Sequence, residues 1–292
     1  MVLKKQFACR SLLAVVCALW LPGLAAAQFA PPLPPEKTVE VLGQHIRYVE
    51  AGQGLALIFI HGLGSSAASW AFNIGPASQK FHVYALDQIG FGHSDKPLIE
   101  YRIETFVEFL QGFMQALNIP KATLVGNSLG GWIAVEFTAQ HPEMVDKLVL
   151  VDAAGLRPEG PRSPSVDLNP SSLVGMRSVL EAVFYNKRII SDELVRQVFE
   201  VHLKNGDGYT IERVLTNVFS SDQYEDDKLA SIHAPTLAVW GHDDRLTPLS
   251  VGERYQMGIA GARIVVFDQC GHIPQMEEAV QFNKALLEFL GQ

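Results

Sequence analysis

Residues 125–132 read VGNSLGGW and place one serine, Ser128, between glycines. An apolar run, KATLV, leads into this stretch, and a helix-compatible run, WIAVEFTAQ, continues it. Gly126, Ser128 and Gly130 therefore match the pattern G-x-S-x-G at a point where a strand turns into a helix. Side chains in place of the two glycines would collide with neighbouring backbone, and the turn exposes the serine hydroxyl. The N–H that follows opens a helix, where it stabilises a developing negative charge. The pattern predicts that Ser128 is a nucleophile, although glycine and serine are also common in ordinary turns.

The rest of the chain repeats this order of strand and helix. Continuous apolar runs, typical of strands buried on both faces, are LALIFIHG (55–62), FHVYALD (81–87), ATLVGNS (122–128), VDKLVLVDA (145–153), PTLAVWG (235–241) and ARIVVFD (262–268). Helix-like segments lie near 101–117, 130–140, 249–259 and 275–290. An alternating stretch around Gly43 predicts a hairpin before them. This order predicts an α/β fold with a mostly parallel central sheet, helices on both faces, and a site at the carboxyl ends of the strands.

The segment between Ala154 and Ala234 has no buried-strand pattern. It begins with a Pro/Ser/Gly-rich stretch and continues with helix-like pieces near 173–186, 191–204 and 209–219. A structureless loop of this length is implausible inside a compact domain. The segment predicts an inserted helical cap, with a Pro-rich hinge at 157–172 that would permit a mobile lid. The expected division is therefore a core in two parts, 28–154 and 234–292, with a cap or lid at 155–233.

The first 27 residues are typical of a signal peptide. Three cations lie within residues 1–10, the apolar run LLAVVCALWL occupies 12–21, and Ala25–Ala27 fits an A-x-A cleavage site. The run is shorter than the roughly 20 residues that a spanning helix needs. We therefore expect export to the periplasm or the medium with cleavage after Ala27, and no stable membrane insertion afterwards. The alternative is an uncleaved anchor.

Charge and cysteine content exclude several classes of function. The net charge is −8, without a cluster of Lys or Arg, which argues against a nucleic acid or anionic lipid surface as a partner. Of the three cysteines, only Cys270 lies beyond the predicted leader, so the mature chain would form no internal disulfide. No spacing of Cys and His resembles a metal site, and no cofactor is implied.

A nucleophilic serine needs a base and an orienting acid, which follow it in the chain order Ser, acid, His. The stretch WGHDDRLTP (240–248) supplies Asp243 and Asp244 after a predicted strand. His272, in CGHIPQM, is the one histidine of nine that lies downstream of both. Asp152, at the end of its own strand, is a third candidate acid.

Five stretches together carry a resemblance to the α/β-hydrolases with a helical cap: HGLGSS (61–66), DQIGFGHSDKP (87–97), GNSLGG (126–131), WGHDDRLTP (240–248) and CGHIPQMEEA (270–279). The family's G-x-x-D-x-x-x-P pattern around its acid favours Asp244 over Asp243, because Gly241 and Pro248 match it. The resemblance implies that Ser128 attacks, that His272 carries the proton, and that Asp244 orients the imidazole. It also implies an oxyanion hole formed by the backbone N–H groups of Leu63 and Leu129.

The choice of reaction depends on fewer residues. Relatives with an aspartate nucleophile, the haloalkane dehalogenases and epoxide hydrolases, are excluded by Ser128. The carbon–carbon bond hydrolases of aromatic-ring breakdown share GNS.GG and WG.DDR..P, but they often have an aromatic residue after the catalytic histidine and typically act in the cytoplasm. Ile273–Pro274 and the predicted leader instead resemble exported esterases and lipases.

We therefore expect an exported serine hydrolase that cleaves carboxylic esters, with a small ester or lipid as substrate, through an acyl-enzyme. A carbon–carbon bond hydrolase is the alternative. A non-catalytic small-molecule binding protein is a third possibility, disfavoured because every position of the triad is filled. Acyl chain length and oligomeric state cannot be read from the sequence.

Overall fold

The computed structural model describes residues 31–159, 166–219 and 223–291. The predicted signal peptide, 1–27, lies outside the described residues, as does part of the Pro-rich hinge. Within the described ranges, no helix combines the length and apolar character needed to cross a membrane.

The described residues form one eight-stranded sheet. Its strands are β1 (Glu36–Val41), β2 (Gln44–Ala51), β3 (Ala56–Ile60), β4 (His82–Leu86), β5 (Ala122–Asn127), β6 (Val145–Val151), β7 (Thr236–Gly241) and β8 (Arg263–Phe267). They lie side by side in the order β1-β2-β4-β3-β5-β6-β7-β8. β2 is antiparallel to β1 and β4, and the other neighbours are parallel. The expected hairpin, the six strands and the mostly parallel sheet are confirmed. Five of the six strands are largely buried, as expected, whereas β8 is only partly buried because it lies at the edge of the sheet.

The apolar runs reflect burial on both faces of the sheet. In β3 the side chains of Leu57 and Phe59 belong to one core, and those of Ile58 and Ile60 belong to the other. Successive side chains of a strand point to opposite faces, so a strand covered on both sides needs apolar residues at every position.

The described residues also contain nine α-helices. These are α1 (Ala71–Ser78), α2 (Ile103–Ala116), α3 (Leu129–Gln140), α4 (Leu173–Val183), α5 (Asp192–Asn205), α6 (Gly208–Asn217), α7 (Leu249–Gly258), α8 (Pro274–Glu277) and α9 (Ala279–Leu290). Helices α2, α3 and α7 cover one face of the sheet, and α1 and α9 cover the other. The four helices expected in the core and the three expected between 173 and 219 are present, but the segment expected as one helix near 275–290 forms two, α8 and α9.

Helix α1 is the element that the sequence analysis missed. Its Gly75–Pro76 pair is typical of a break, because proline donates no N–H and leaves the carbonyl four residues earlier unpaired. That carbonyl belongs to Phe72, and the Asn283 side chain donates to it at 2.9 Å. An amide from α9 thus replaces the hydrogen bond that Pro76 cannot make.

Helices α4–α6 form a layer near the carboxyl ends of the strands. Ser172 and Ser191 cap α4 and α5 by accepting hydrogen bonds from backbone N–H groups in the first turn. The apolar side chains of α4 and α5 form their own cluster, which includes Ile273 and Met276 beside His272. Helices α4 and α5, which belong to the predicted cap, are therefore packed directly against the loop that carries the predicted catalytic histidine. The division of the chain into core and cap stays a prediction.

Candidate active site

Ser128 occupies a sharp turn between β5 and α3. Its backbone has φ 54° and ψ −119°, outside the regions that side chains normally allow. A Cβ atom on Gly126 would lie 2.2 Å from the carbonyl oxygen of Gly130, and one on Gly130 would lie 2.2 Å from that of Ile60. Both glycines are therefore required by close backbone approach, as predicted.

Two backbone N–H groups lie beside this turn without a described partner. Leu129 begins α3, and the first N–H groups of a helix have no acceptor within it. Leu63 follows Gly62, whose Cα faces the Cβ of Ser128, since a Cβ added to this glycine would lie 3.2 Å away. The oxyanion hole that the resemblance implies from these two groups stays a prediction.

His61 holds the loop that carries Leu63. Its Nε2 accepts a hydrogen bond from the backbone N–H of Gln88 at 3.0 Å, so the proton is on Nδ1, which donates to the carbonyl of Gly62 at 2.7 Å. Complete burial lowers the pKa of His61 and keeps the ring neutral. His61 shapes the loop, and because both of its ring nitrogens are engaged with the backbone, neither is free to exchange a proton with Ser128.

The predicted acid and base are in contact. His272 Nδ1 lies 2.7 Å from Asp244 Oδ2, and both side chains are almost completely buried. Asp244 also accepts hydrogen bonds from the backbone N–H groups of Leu246 (2.7 Å) and Thr247 (3.1 Å) and from the Thr247 hydroxyl (2.6 Å). Burial by itself raises the pKa of Asp244, but the interaction with His272 and these hydrogen bonds outweigh it and lower the pKa. Asp244 is therefore ionised and holds the proton of His272 on Nδ1, leaving Nε2 to act as a base.

Ser128 and His272 line one cavity, which encloses about 990 Å³ with its open mouth included. Polar groups from the core, including Asn127 and Ser69, form part of its wall. Helices α4 and α5 contribute mainly apolar side chains. The Ser128 hydroxyl has no hydrogen-bond partner among the described residues, so it is open to a ligand in this cavity. Catalytic hydrogen bonds of this kind often close only when substrate is bound.

Neither of the other candidate acids has a hydrogen bond to His272 among the described residues. Asp243 is solvent-exposed and lies near His242, at 3.7 Å. Asp152 is buried close to Asp244, but its hydrogen bond comes from the N–H of Gly241. Among the large aromatic side chains, Trp70, Phe91 and Trp132 lie in the core, while Phe184 lines the cavity. Cys270 is buried and burial raises the pKa of its thiol, so it is not a nucleophile.

Two residues that sequence reasoning missed connect the site to its surroundings. Asn127, next to the nucleophile, donates from Nδ2 to the carbonyls of Val151 (3.0 Å) and His272 (3.2 Å). Glu277 accepts hydrogen bonds from the N–H groups of Gly271 (2.8 Å) and Tyr185 (2.9 Å), so it links the histidine loop to the cap. Burial raises the pKa of Glu277 to about 7. The position of Asn127 within the GNS stretch was a signal that it belongs to the site. No local feature of the sequence indicated a role for Glu277.

One group of acidic and histidine side chains among the described residues is compact enough to share a metal ion. It consists of Asp152, Asp244 and His272, with one ligand atom from each lying within 4.8 Å of the others. Two of these atoms already form the hydrogen bond between His272 and Asp244. This hydrogen bond brings two of the three side chains together.

Comparison with known proteins assigns the fold family. A family model described as the alpha/beta hydrolase fold matches residues 56–279. The chain belongs to this family. It is 35% identical over 266 residues to 2-hydroxy-6-oxo-6-phenylhexa-2,4-dienoate hydrolase of Comamonas testosteroni, covering 85% of this chain and 91% of that protein. A 2-hydroxy-6-oxononadienedioate/2-hydroxy-6-oxononatrienedioate hydrolase of Paraburkholderia phymatum is 33% identical over 264 residues, with the same coverage.

A solved structure of similar shape is the meta-cleavage product hydrolase from Pseudomonas fluorescens IP01, in the form of a serine-to-alanine mutant complexed with acetates. It superposes with a TM-score of 0.79 at 30% identity and covers 87% of this chain and 97% of that one. The α/β-hydrolase family member described here is therefore a hydrolase, and it is similar to proteins named as hydrolases of 2-hydroxy-6-oxo-dienoates and of a meta-cleavage product.

These comparisons correct the expected reaction. The prediction of a carboxylic ester hydrolase is wrong, because the related proteins are carbon–carbon bond hydrolases, the alternative that the sequence left open. The expected export stays a prediction. The physical reason is that one elbow and one triad can attack either an ester or a ketone carbonyl. Ile273 and the leader were used to choose between the two, but neither residue type nor export determines which bond breaks.

Proposed function

We propose that this hydrolase cleaves the carbon–carbon bond next to the 6-oxo group of 2-hydroxy-6-oxohexa-2,4-dienoates, using Ser128, His272 and Asp244. The observation that carries the proposal is the 35% identity over 266 residues to a hydrolase of such a compound. The open Ser128 hydroxyl, the His272–Asp244 pair and their shared cavity supply the groups that the reaction needs.

The first half of the proposed reaction forms an acyl-enzyme. The substrate first becomes the 2,6-dioxo tautomer by moving the proton of its 2-hydroxyl to C5. Ser128 Oγ then attacks C6 while His272 Nε2 takes the hydroxyl proton. The negative charge that develops on the 6-oxygen is stabilised by the N–H groups of Leu63 and Leu129.

Collapse of this intermediate breaks the C5–C6 bond. The electron pair moves through the C3–C4 double bond to the 2-oxo oxygen, which takes the proton from His272 and becomes the 2-hydroxyl of a pentadienoate. Water, deprotonated by His272, then attacks the ester on Ser128 and releases a carboxylic acid. The sum is substrate plus water giving 2-hydroxypenta-2,4-dienoate and an acid.

The cap favours a hydrocarbon group on C6. Its contribution to the cavity wall includes Met176, Val179, Leu180, Val183 and Val198. The described residues that line the cavity include no Lys or Arg, so a second carboxylate at this end would lose hydration without gaining an opposing charge. We therefore expect a 6-phenyl substrate to be preferred to a dioate, while Ser65, Ser69 and His202 are available to the dienoate carboxylate.

The test is spectrophotometric. Purified protein is given 6-phenyl, 6-methyl and dioate substrates, and loss of the dienolate absorbance is followed with identification of both products. The proposal expects turnover of the 6-phenyl compound with the highest kcat/KM of the three, and loss of it in Ser128→Ala. If none of the three is cleaved, the proposed reaction is wrong; if the dioate is preferred, only the assignment of the cap pocket is wrong.

We also propose export of the mature chain, on the strength of the basic, apolar and small-residue order of residues 1–27. N-terminal sequencing of protein recovered from its native host tests this. A mature chain that begins at Gln28 supports the proposal, and one that retains the apolar run at 12–21 contradicts it.

A further inference from the structure

Asp152 is a direct neighbour of the His272–Asp244 pair. It follows β6 with φ 42° and is completely buried. Its Oδ1 accepts the N–H of Gly241 at 3.0 Å, whereas its buried Oδ2 receives no hydrogen bond from a described residue. One carboxylate oxygen of Asp152 lies within 4.8 Å of the ligand atoms that Asp244 and His272 offer.

Two carboxylates this close in a buried site do not both ionise. The hydrogen-bond donors decide which of them keeps the charge. Asp244 receives two backbone N–H groups, the Thr247 hydroxyl and His272 Nδ1, while Asp152 receives one backbone N–H. The charge therefore resides on Asp244 and the proton on Asp152.

We propose that Asp152 is a neutral acid whose Oδ2–H donates a hydrogen bond to the Asp244 carboxylate and holds it in the orientation that His272 requires. Asp152 is thus a positioning residue. The inference rests on the triad assignment within the proposed function and is independent of the substrate. Burial, and after it the Asp244 charge, raises the pKa of Asp152 well above its ordinary value, in agreement with this assignment.

The titratable groups facing Asp152 are few. Asp244 follows β7, His272 and Cys270 follow β8, and Glu277 lies on α8. Burial raises the pKa of the Cys270 thiol, so it is protonated throughout, and that of Glu277 to about 7. Glu277 therefore titrates near neutrality, but it does so in every variant. Differences between variants report on Asp152.

The experiment measures the rate at which a fluorophosphonate labels Ser128 across pH. The serine oxygen forms a bond to phosphorus, fluoride leaves, and the proton passes to His272, so the rate reports the activated serine without a natural substrate. The variants are Asp152→Asn, which keeps an N–H donor and is neutral, and Asp152→Ala, which has neither donor nor acceptor. Asp243→Asn, at the exposed neighbour of Asp244, is the control for a change in net charge.

We expect Asp152→Ala to lower the labelling rate about 10- to 100-fold, the effect of losing one hydrogen bond to a charged group. The acid limb of the pH–rate profile of this variant should move to higher pH. Without the hydrogen bond from residue 152, Asp244 is more basic and stabilises the charged form of His272. Asp152→Asn should recover most of the rate and keep the wild-type acid limb, as should Asp243→Asn. Asparagine also tolerates the positive φ at this position.

Two results would overturn the inference. If Asp152 were ionised, Asp152→Asn would remove a negative charge beside His272 and move the acid limb down by about one pH unit. An Asp152→Asn variant as slow as Asp152→Ala would show that the amide does not replace the proposed donor. If the wild-type chain is not labelled, the triad assignment is wrong. If it is labelled but does not cleave the dienoates, only the proposed substrate is wrong, and this test of Asp152 still applies.

Discussion

Replacing Glu225 with glutamine should stabilise the protein at alkaline pH and leave it unchanged at acidic pH. Glu225 is completely buried at the base of the cap, where its N–H donates to the carbonyl of Gly155 at 2.9 Å. Its Oε1 accepts the indole N–H of Trp132 at 2.8 Å, and its carboxyl faces that of Glu136. Lys228 pairs with both carboxyls and opposes part of the shift in the pKa of Glu225. Burial, followed by Glu136, raises the pKa of Glu225 from 4.5 to about 8.

The sign and size of the effect follow from this pKa. Between about pH 5 and 8 the folded protein keeps a proton on Glu225 that the unfolded chain has lost, so the free energy of unfolding falls as pH rises. The slope is about 1.4 kcal/mol per pH unit for one proton, which gives about 4 kcal/mol at most across this window. Glutamine has the shape and hydrogen bonds of the protonated acid. The free energy of unfolding of Glu225→Gln should therefore not fall with pH in this window.

Urea unfolding at about pH 5, 6.5 and 8 measures the difference. We expect the variant and wild type to agree at the lowest pH and to differ by about 2–4 kcal/mol at the highest, with the variant the more stable. Glu200→Gln, at an exposed position of α5, is the matched control and should show no such trend. A difference between Glu225→Gln and wild type that is the same at all three pH values would refute the buried proton.

Three further predictions concern the site. Asp244→Asn should lower kcat/KM on the order of 10⁴-fold, because the amide favours the wrong tautomer of His272. Steady-state kinetics measure this loss, and a loss below about 10-fold would exclude Asp244 as the acid. Gly130→Ala should cost about 1–3 kcal/mol of unfolding free energy and slow fluorophosphonate labelling, because its Cβ would lie 2.2 Å from the Ile60 oxygen; wild-type stability in urea would contradict the packing described. Cys270 should resist iodoacetamide in the folded protein and react in urea, because its thiol is buried with a raised pKa. Rapid alkylation of the native protein, seen by mass spectrometry, would contradict this and show that the loop carrying Cys270 and His272 opens.

Much of the fold could be predicted because parallel strands covered on both faces leave continuous apolar runs, as LALIFIHG does for β3. Helix α1 was missed for the opposite reason. Its Gly75–Pro76 pair contradicts a helix locally, and the compensating amide of Asn283 lies far along the chain. Contacts between distant segments override local preference here, and no window of sequence contains both partners.

The residues of the site differ in the same way: some could be named from local sequence, and others depend on contacts between distant segments. Ser128 lies in a local motif, and His272 is the one histidine after the candidate acids, so both could be named from sequence. The neutral state of Asp152 depends on Asp244, 92 positions later in the chain, and on how many donors each carboxylate receives. The bond that is cleaved could not be predicted, because the elbow and the triad are common to both reactions.

The most direct test of the proposed chemistry is hydrolysis of 2-hydroxy-6-oxo-6-phenylhexa-2,4-dienoate in ¹⁸O-labelled water by the wild-type chain and by Ser128→Ala. We expect loss of the dienolate absorbance with wild type only. Mass spectrometry should find one ¹⁸O in benzoate after a single turnover and none introduced by the enzyme into 2-hydroxypenta-2,4-dienoate. A wild-type chain that leaves this compound intact, or a Ser128→Ala variant that cleaves it equally fast, would contradict the proposed chemistry.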